Sequence, residues 1–121
     1  MTARDRNLIQ KIVNYAVNAL GYVHGSTYES FISETKTVYA CAFSIGQIGE
    51  LASIVSEEAK LQYTVVPWRN IRGMRNKIVH DYDHVDMMVL WGVLIESLPA
   101  LIKVFNDILA KNDILENWNE R

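Results

Sequence analysis

Apolar residues recur three and four positions apart along most of the chain, the period of helices that each bury one face. The first such row is Ile9, Ile12, Val13, Ala16, Leu20 and Val23, preceded by Thr2 and Asp5 at the spacing of a helix-starting cap. It predicts a helix ending near His24-Gly25, where glycine can take the left-handed conformation that closes a helix. A second row, Phe31, Thr35, Val38, Ala42, Ile45, Gly49, Ala52 and Val55, predicts one long helix from about Tyr28 to about Ala59, with Glu57, Glu58 and Lys60 at its polar end. Small residues crowd its second half, among them Gly46, Gly49, Ala52 and Ser53. Glycine inside a helix costs roughly 1 kcal/mol relative to alanine, so their use implies close approach by another helix or by a partner chain. Tight bundle packing is the simpler of the two.

Leu61 to Val66 lacks a helical period and reads as a connector to Pro67, which suits the first turn of a helix. Trp68, Ile71, Met74 and Ile78 predict a third, short helix. Asp81 to Val85 breaks the pattern, and Asp86 can cap a fourth helix whose apolar row is Met87, Leu90, Trp91, Leu94, Leu98, Leu101, Phe105 and Ile108. Pro99 lacks an N–H and clashes with the carbonyl four residues earlier, so this helix should kink or restart with Ser97 as a new cap. The polar tail after Ala110 reads as fraying helix. Strand signals are almost absent, and there is no internal repeat. The expected architecture is all-α, an antiparallel four- to five-helix bundle in one domain over residues 1–121.

Composition adds limits. A chain of 121 residues, half of them hydrophobic, can bury a core without disulfide or zinc support. The single Cys41 has no second thiol, which excludes a disulfide framework and a cysteine zinc site and points to a reducing compartment. The amino-terminal segment, interrupted by Gln10, Lys11, Asn14 and Asn18, is too polar for a signal peptide or a membrane span, so a soluble cytoplasmic protein is expected. Net charge is only -2, but its distribution is uneven. From Ala59 to His80 there is no Asp or Glu, while Lys60, Arg69, Arg72, Arg75 and Lys77 supply five of the twelve Lys and Arg residues.

That basic stretch ends in Arg75-Asn76-Lys77-Ile78-Val79-His80-Asp81-Tyr82, which gathers an arginine, an amide, a histidine and a tyrosine. Cutting an RNA phosphodiester without metal needs a base for the 2′-hydroxyl proton, an acid for the departing 5′-oxygen and a cation for the charged phosphorane. Histidine suits the first two roles and arginine the third. Five residues along an ideal helix turn the direction by about 140°, so Arg75 and His80 can meet only if the helix ends between them, with Asn76 then placed to fix the imidazole tautomer. Helix-end cations also complement the dipole without any catalytic purpose. Trp68 and Trp91 fall on the apolar period and read as core anchors, and His24 and His84 as helix-end or loop residues. Only the loop Asp81, Asp83, His84 and Asp86 clusters possible metal ligands, and no metal or cofactor is expected.

The run from Pro67 to Tyr82, with its Gly73-Met74-Arg75-Asn76 core, followed by Leu90-Trp91 and Leu98-Pro99, resembles the HepT-type branch of the HEPN superfamily. Upstream, Ile45-Gly46-Gln47-Ile48-Gly49-Glu50-Leu51-Ala52 resembles the second helix of that branch. The resemblance implies a bundle that forms a homodimer with two motifs facing across a cleft, so that two copies of His80 supply both acid and base. It further implies a toxin ribonuclease in which Arg75 and His80 act on RNA, with Asn76 as the polar residue beside them. Tyr82 matches the tyrosine that accepts AMP from a minimal nucleotidyltransferase antitoxin, a modification that would block the phosphate site by charge and bulk. Arg69, Arg72 and Lys77 are then the candidate RNA contacts. Two other readings remain: a noncatalytic HEPN module that binds a nucleotidyltransferase or a nucleotide, and a purely structural dimeric bundle.

Overall fold

The computed structural model describes residues 1–80 and 84–119. Its helices are α1 (Ala3–Tyr22), α2 (Tyr28–Ser33), α3 (Thr35–Ile54), α4 (Glu57–Gln62), α5 (Trp68–Ile78), α6 (Met87–Gly92) and α7 (Leu98–Asn119). A π-helical turn, Val93–Ser97, joins α6 to α7, and a two-residue antiparallel ladder pairs Val79–His80 with His84–Val85. The architecture is the expected all-α bundle.

The contacts at the helix ends give the directions. Asp5 at the start of α1 meets Ser56 just beyond α3, while Cys41 near the start of α3 approaches Ala19 near the end of α1. Gly46 and Gly49 of α3 lie against Arg75 and Arg72 of α5 in reverse order. Arg6 of α1 meets Asp113 of α7. Consecutive long helices are therefore antiparallel, around a core in which Ile9, Ile12, Ile45, Ile71, Leu94 and Phe105 are almost completely buried. Each fully buried side chain of this size contributes about 1.5–3 kcal/mol.

Helix α1 begins as its sequence predicts, with the Thr2 hydroxyl accepting the Asp5 N–H at 3.0 Å, and the chain turns at Gly25 with φ 76°. The long second helix does not form as one piece. Thr27 and Ser30 build a complete capping box for α2, Glu34 leaves helical geometry at ψ 84°, and α3 starts afresh at Thr35. The break turns Phe31 inward onto Trp91, whose ring centroid lies 5.1 Å away. A second break falls at Val55-Ser56, both extended, where Ser56 caps α4 by accepting the Ala59 N–H.

Ser56 is held from the other side as well. Its amide and hydroxyl donate to the two carboxylate oxygens of the buried Asp5, at 2.9 and 2.6 Å. Burial pushes the Asp5 carboxyl up, but the hydrogen bonds from Ser56 and Thr2 outweigh it and hold the group below 3.8.

The fourth helix is capped by Asp86, whose carboxylate accepts the Val89 N–H, and it does not restart at Ser97. It passes through the π turn, where the Leu98 N–H reaches back five residues to the Val93 carbonyl. Leu90, Leu94 and Leu98 are spaced four and four, a pattern that drifts about 80° around a regular helix. The wider turn absorbs that drift and keeps all three in the core. Pro99 sits two residues beyond it, inside a helix that runs on without a break, so the wider turn just before the proline is what accommodates its ring and missing N–H. The tail is also more ordered than its composition suggests, because α7 continues to Asn119, Asn112 is buried, and Asp113 takes a two-pronged ion pair from Arg6 at 2.7 and 2.8 Å. By length and composition Met87–Trp118 could cross a membrane, yet its Leu90, Leu94, Leu98 and Phe105 row is what closes the core.

A Cβ at Gly49 would lie 3.3 Å from the Arg72 carbonyl oxygen, whereas one at Gly73 meets nothing within 4 Å. Gly49→Leu is therefore expected to destabilise the fold by about 1–3 kcal/mol and Gly73→Ala to stabilise it by up to about 1 kcal/mol, both measured by denaturant titration. Because the Asp5 pKa is lowered on folding, its contribution is fully present above the unfolded value near 3.8 and is lost as pH falls through the folded value. Asp5→Asn should cost about 1–3 kcal/mol at pH 7, and the gap to wild type in urea titrations should narrow below pH 4.

Candidate active site

Helix α5 presents three faces. Ile71, Met74 and Ile78 enter the core. Arg69, Arg72, Arg75 and Asn76 turn toward the seam with α3, and Lys77 turns the other way. Arg75 and Lys77 also occupy the last turn, where cations complement the carboxyl end of the helix dipole.

The seam is a trough of overlapping hollows. One, of about 240 Å3, is lined by Ser53, Glu57, Lys60, Arg69 and Arg72. The next, of about 300 Å3, is lined by Gly46, Gly49, Glu50, Ser53, Arg72, Arg75 and Asn76. A third, of about 160 Å3, continues past Arg75 to Ala42, Phe43 and Gln47. Spaced by three, Arg69, Arg72 and Arg75 run along this trough. Gly46 makes room for the last of them, since a Cβ there would touch the Arg75 Cδ at 3.5 Å. Among the described residues, the ion pairs are Arg6 with Asp113 and Lys60 with Glu57, so none of the three arginines is neutralised by one.

Lys77 does not join this row. It lines an apolar groove of about 310 Å3 on the opposite side, between α5 and the α6–α7 arm, with Met74, Val93, Leu101 and Phe105. A helical step of two residues from Arg75 to Lys77 turns the direction by about 200°, which the linear basic run conceals.

The helix ends at Ile78, and Val79 is extended at φ -111° and ψ 115°. The condition for bringing Arg75 and His80 together, a helix ending between them, is met by the backbone. A 2.7 Å bond from the Asp86 N–H to the Ile78 carbonyl closes the exit. In the ladder that follows, His80 pairs with His84. His84, expected to be a simple loop histidine, is thus the direct cross-strand neighbour of the motif histidine. The side chain of His80 and the residues Asp81, Tyr82 and Asp83 lie outside the described residues, and with them the expected contact of Asn76 with the imidazole. Among the described residues no group of three His, Cys, Asp or Glu could hold a metal ion.

Phe43, Gln47 and Glu50 also line the trough, although no site role was read for them from the sequence. Glu50 brings a carboxylate to the hollows that contain Arg75, and Phe43 is 61% exposed beside them. The spacing of Gly46 and Glu50, one helical turn apart, could have drawn attention to the acid. Cys41 offers no competing nucleophile, because burial pushes its thiol up to about 11. Trp68 and Trp91 serve as core anchors: Trp68 rests 5.6 Å from Phe105 and donates its indole N–H to the Tyr63 carbonyl, while Trp91 packs on Phe31 and Tyr28.

The all-α bundle agrees with the HEPN-like fold that the sequence resemblance implied. The family profile described as Ribonuclease HepT-like matches residues 9–108, and the chain belongs to this family. It is 32% identical over 89 residues to a Caldanaerobacter subterraneus protein named "Putative RNase TTE0752", covering 74% of this chain and 80% of the relative. It is 34% identical over 74 residues to "Probable ribonuclease HepT" of Thermococcus cleftensis, covering 61% and 67%. A Methanocaldococcus jannaschii protein named "Putative RNase MJ1216" is 26% identical over 110 residues, covering 90% and 91%. No solved structure matches the chain.

Alanine at position 46 would make only ordinary contact with the Arg75 stem, whereas a longer side chain would take its place. Gly46→Leu should therefore lower affinity for inorganic polyphosphate about tenfold, the scale of one charge-assisted contact, and Gly46→Ala should leave it unchanged. Calorimetric titration with a circular-dichroism check of helicity measures both.

Proposed function

We propose that this protein is the toxin of a toxin-antitoxin pair, a cytoplasmic endoribonuclease that cuts RNA without a metal. The observation that carries the reading is the row of Arg69, Arg72 and Arg75 along the α3–α5 trough, ending where the helix stops and the chain turns into the His80 ladder. Membership of the HepT-like ribonuclease family and the names of its relatives support the choice of RNA.

In this reading Arg75 holds the scissile phosphate and stabilises the phosphorane, and Asn76 orients the reacting groups. His80 acts in proton transfer: one copy accepts the 2′-hydroxyl proton as that oxygen attacks phosphorus, and another donates to the departing 5′-oxygen. The products are a 2′,3′-cyclic phosphate and a free 5′-hydroxyl. Two copies of His80 come from a homodimer with facing motifs. Arg69 and Arg72 bind flanking phosphates, and Lys77, on the opposite face, contributes less. A minimal nucleotidyltransferase antitoxin switches the enzyme off by transferring AMP from ATP to the Tyr82 oxygen, releasing pyrophosphate.

Incubation with RNA in excess chelator should give 5′-hydroxyl fragments from wild type and at least about 100-fold slower cleavage from Arg75→Ala and His80→Ala, a loss typical of removing a transition-state donor or a general acid–base. Intact RNA with wild type, or equal cutting by the variants, rejects the nuclease and favours a noncatalytic partner-binding module. Mass spectrometry after incubation with the cognate nucleotidyltransferase and ATP should find one adenylate on Tyr82. An unmodified tyrosine rejects that mode of control.

A further inference from the structure

Phe43 is an aromatic ring with no core to fill. It is 61% exposed on α3, and its ring meets that of Tyr15 of α1 in a T-shaped contact with ring centroids 6.4 Å apart. It lines the same hollow as Arg75 together with Gly46, Gln47 and Glu50. Tyr39, 56% exposed, lies one helical turn further on the same stripe. Most large apolar side chains of α3 are spent on the core, so two rings left outside it, in line with the last arginine of a cationic row, call for a flat partner that is itself attached to an anion.

Resting on the ribonuclease reading above, we propose that Phe43 is the stacking platform for the nucleobase adjoining the phosphate held by Arg75, and that Tyr39 receives the next base. The two platforms are about 6 Å apart along the helix, four residues at about 1.5 Å each. Stacked bases in a duplex are about 3.4 Å apart, so the spacing fits an unstacked single strand whose bases are splayed onto side chains. The site therefore selects single-stranded segments. The Gln47 amide at the rim of the same hollow supplies both a donor and an acceptor for the edge of the first base.

The test uses a single-stranded 2′-O-methyl oligoribonucleotide, which cannot be cut through its 2′-oxygen, so binding is read whether or not the protein is a nuclease. Phe43→Ala should weaken this oligonucleotide about 5- to 100-fold, the range for loss of one base–aromatic stack, and Phe43→Trp should restore it with quenching of the added indole fluorescence. Affinity for inorganic polyphosphate should not change in Phe43→Ala but should fall in Arg75→Ala. Tyr39→Ala should give a smaller loss of the same kind. Unchanged oligonucleotide binding in Phe43→Ala, an equal loss for polyphosphate, or a change in sedimentation showing that the ring is covered by a second copy would each overturn the proposal. Failure of wild type to cut unmodified RNA would reject the nuclease reading alone, since the binding comparison is decided separately.

Discussion

The approach of α5 to α3 through Gly46 and Gly49 is the constraint on which the rest of the molecule depends. A backbone carbonyl of α5 sits where a side chain on position 49 would have to go, and the methylenes of Arg75 lie across position 46. Two glycines weaken α3 as a helix, and that cost is offset by the contacts that α5, seated against them, makes with the core through Ile71, Met74 and Ile78. With α5 seated this deeply, its arginines border a trough shared with α3 instead of extending separately into water. Site geometry and core packing thus share one helix–helix contact.

Charge follows the same logic. An overall balance of -2 gives no long-range attraction for a polyanion, so attraction must come from placement. Three arginines at intervals of three residues put their guanidinium groups on one side of α5, with Lys60 near the first of them. Glu50 and Glu57 set two carboxylates among these cations.

Much of this was legible in the chain because periodic burial leaves a periodic sequence. The rows that begin with Ile9 and with Met87 became the buried faces of α1 and of the α6–α7 arm, and the Arg75 segment fell at the end of a helix as its turn residues indicated. The breaks at Glu34 and Ser56 were not read, although Thr27, Ser30 and Ser56 carry cap chemistry, because an apolar period continues across a short interruption when both sides face one core. Lys77 was grouped with the arginines by adjacency in sequence, which a helix does not preserve in space. Phe43 was invisible for another reason: an aromatic residue in an apolar helix looks like core until the packing of α1 and α5 leaves it largely exposed. The partner of Asp5 was likewise unreadable, since Ser56 is 51 residues away.

The π turn at Val93–Ser97 has a consequence for the placement of the motif ladder. A single extra residue in a helix carries about 100° of rotation, and here that rotation is taken up between α6, which follows the His84 strand directly, and α7, which is anchored to α1 through Asp113. The turn acts as a phase adjuster, allowing the arm nearest the motif to be aimed independently of the arm that seals the bundle. Loss of one residue there would leave the core row nearly intact on the α7 side while swinging Asp86, and the strand it follows, around the helix axis.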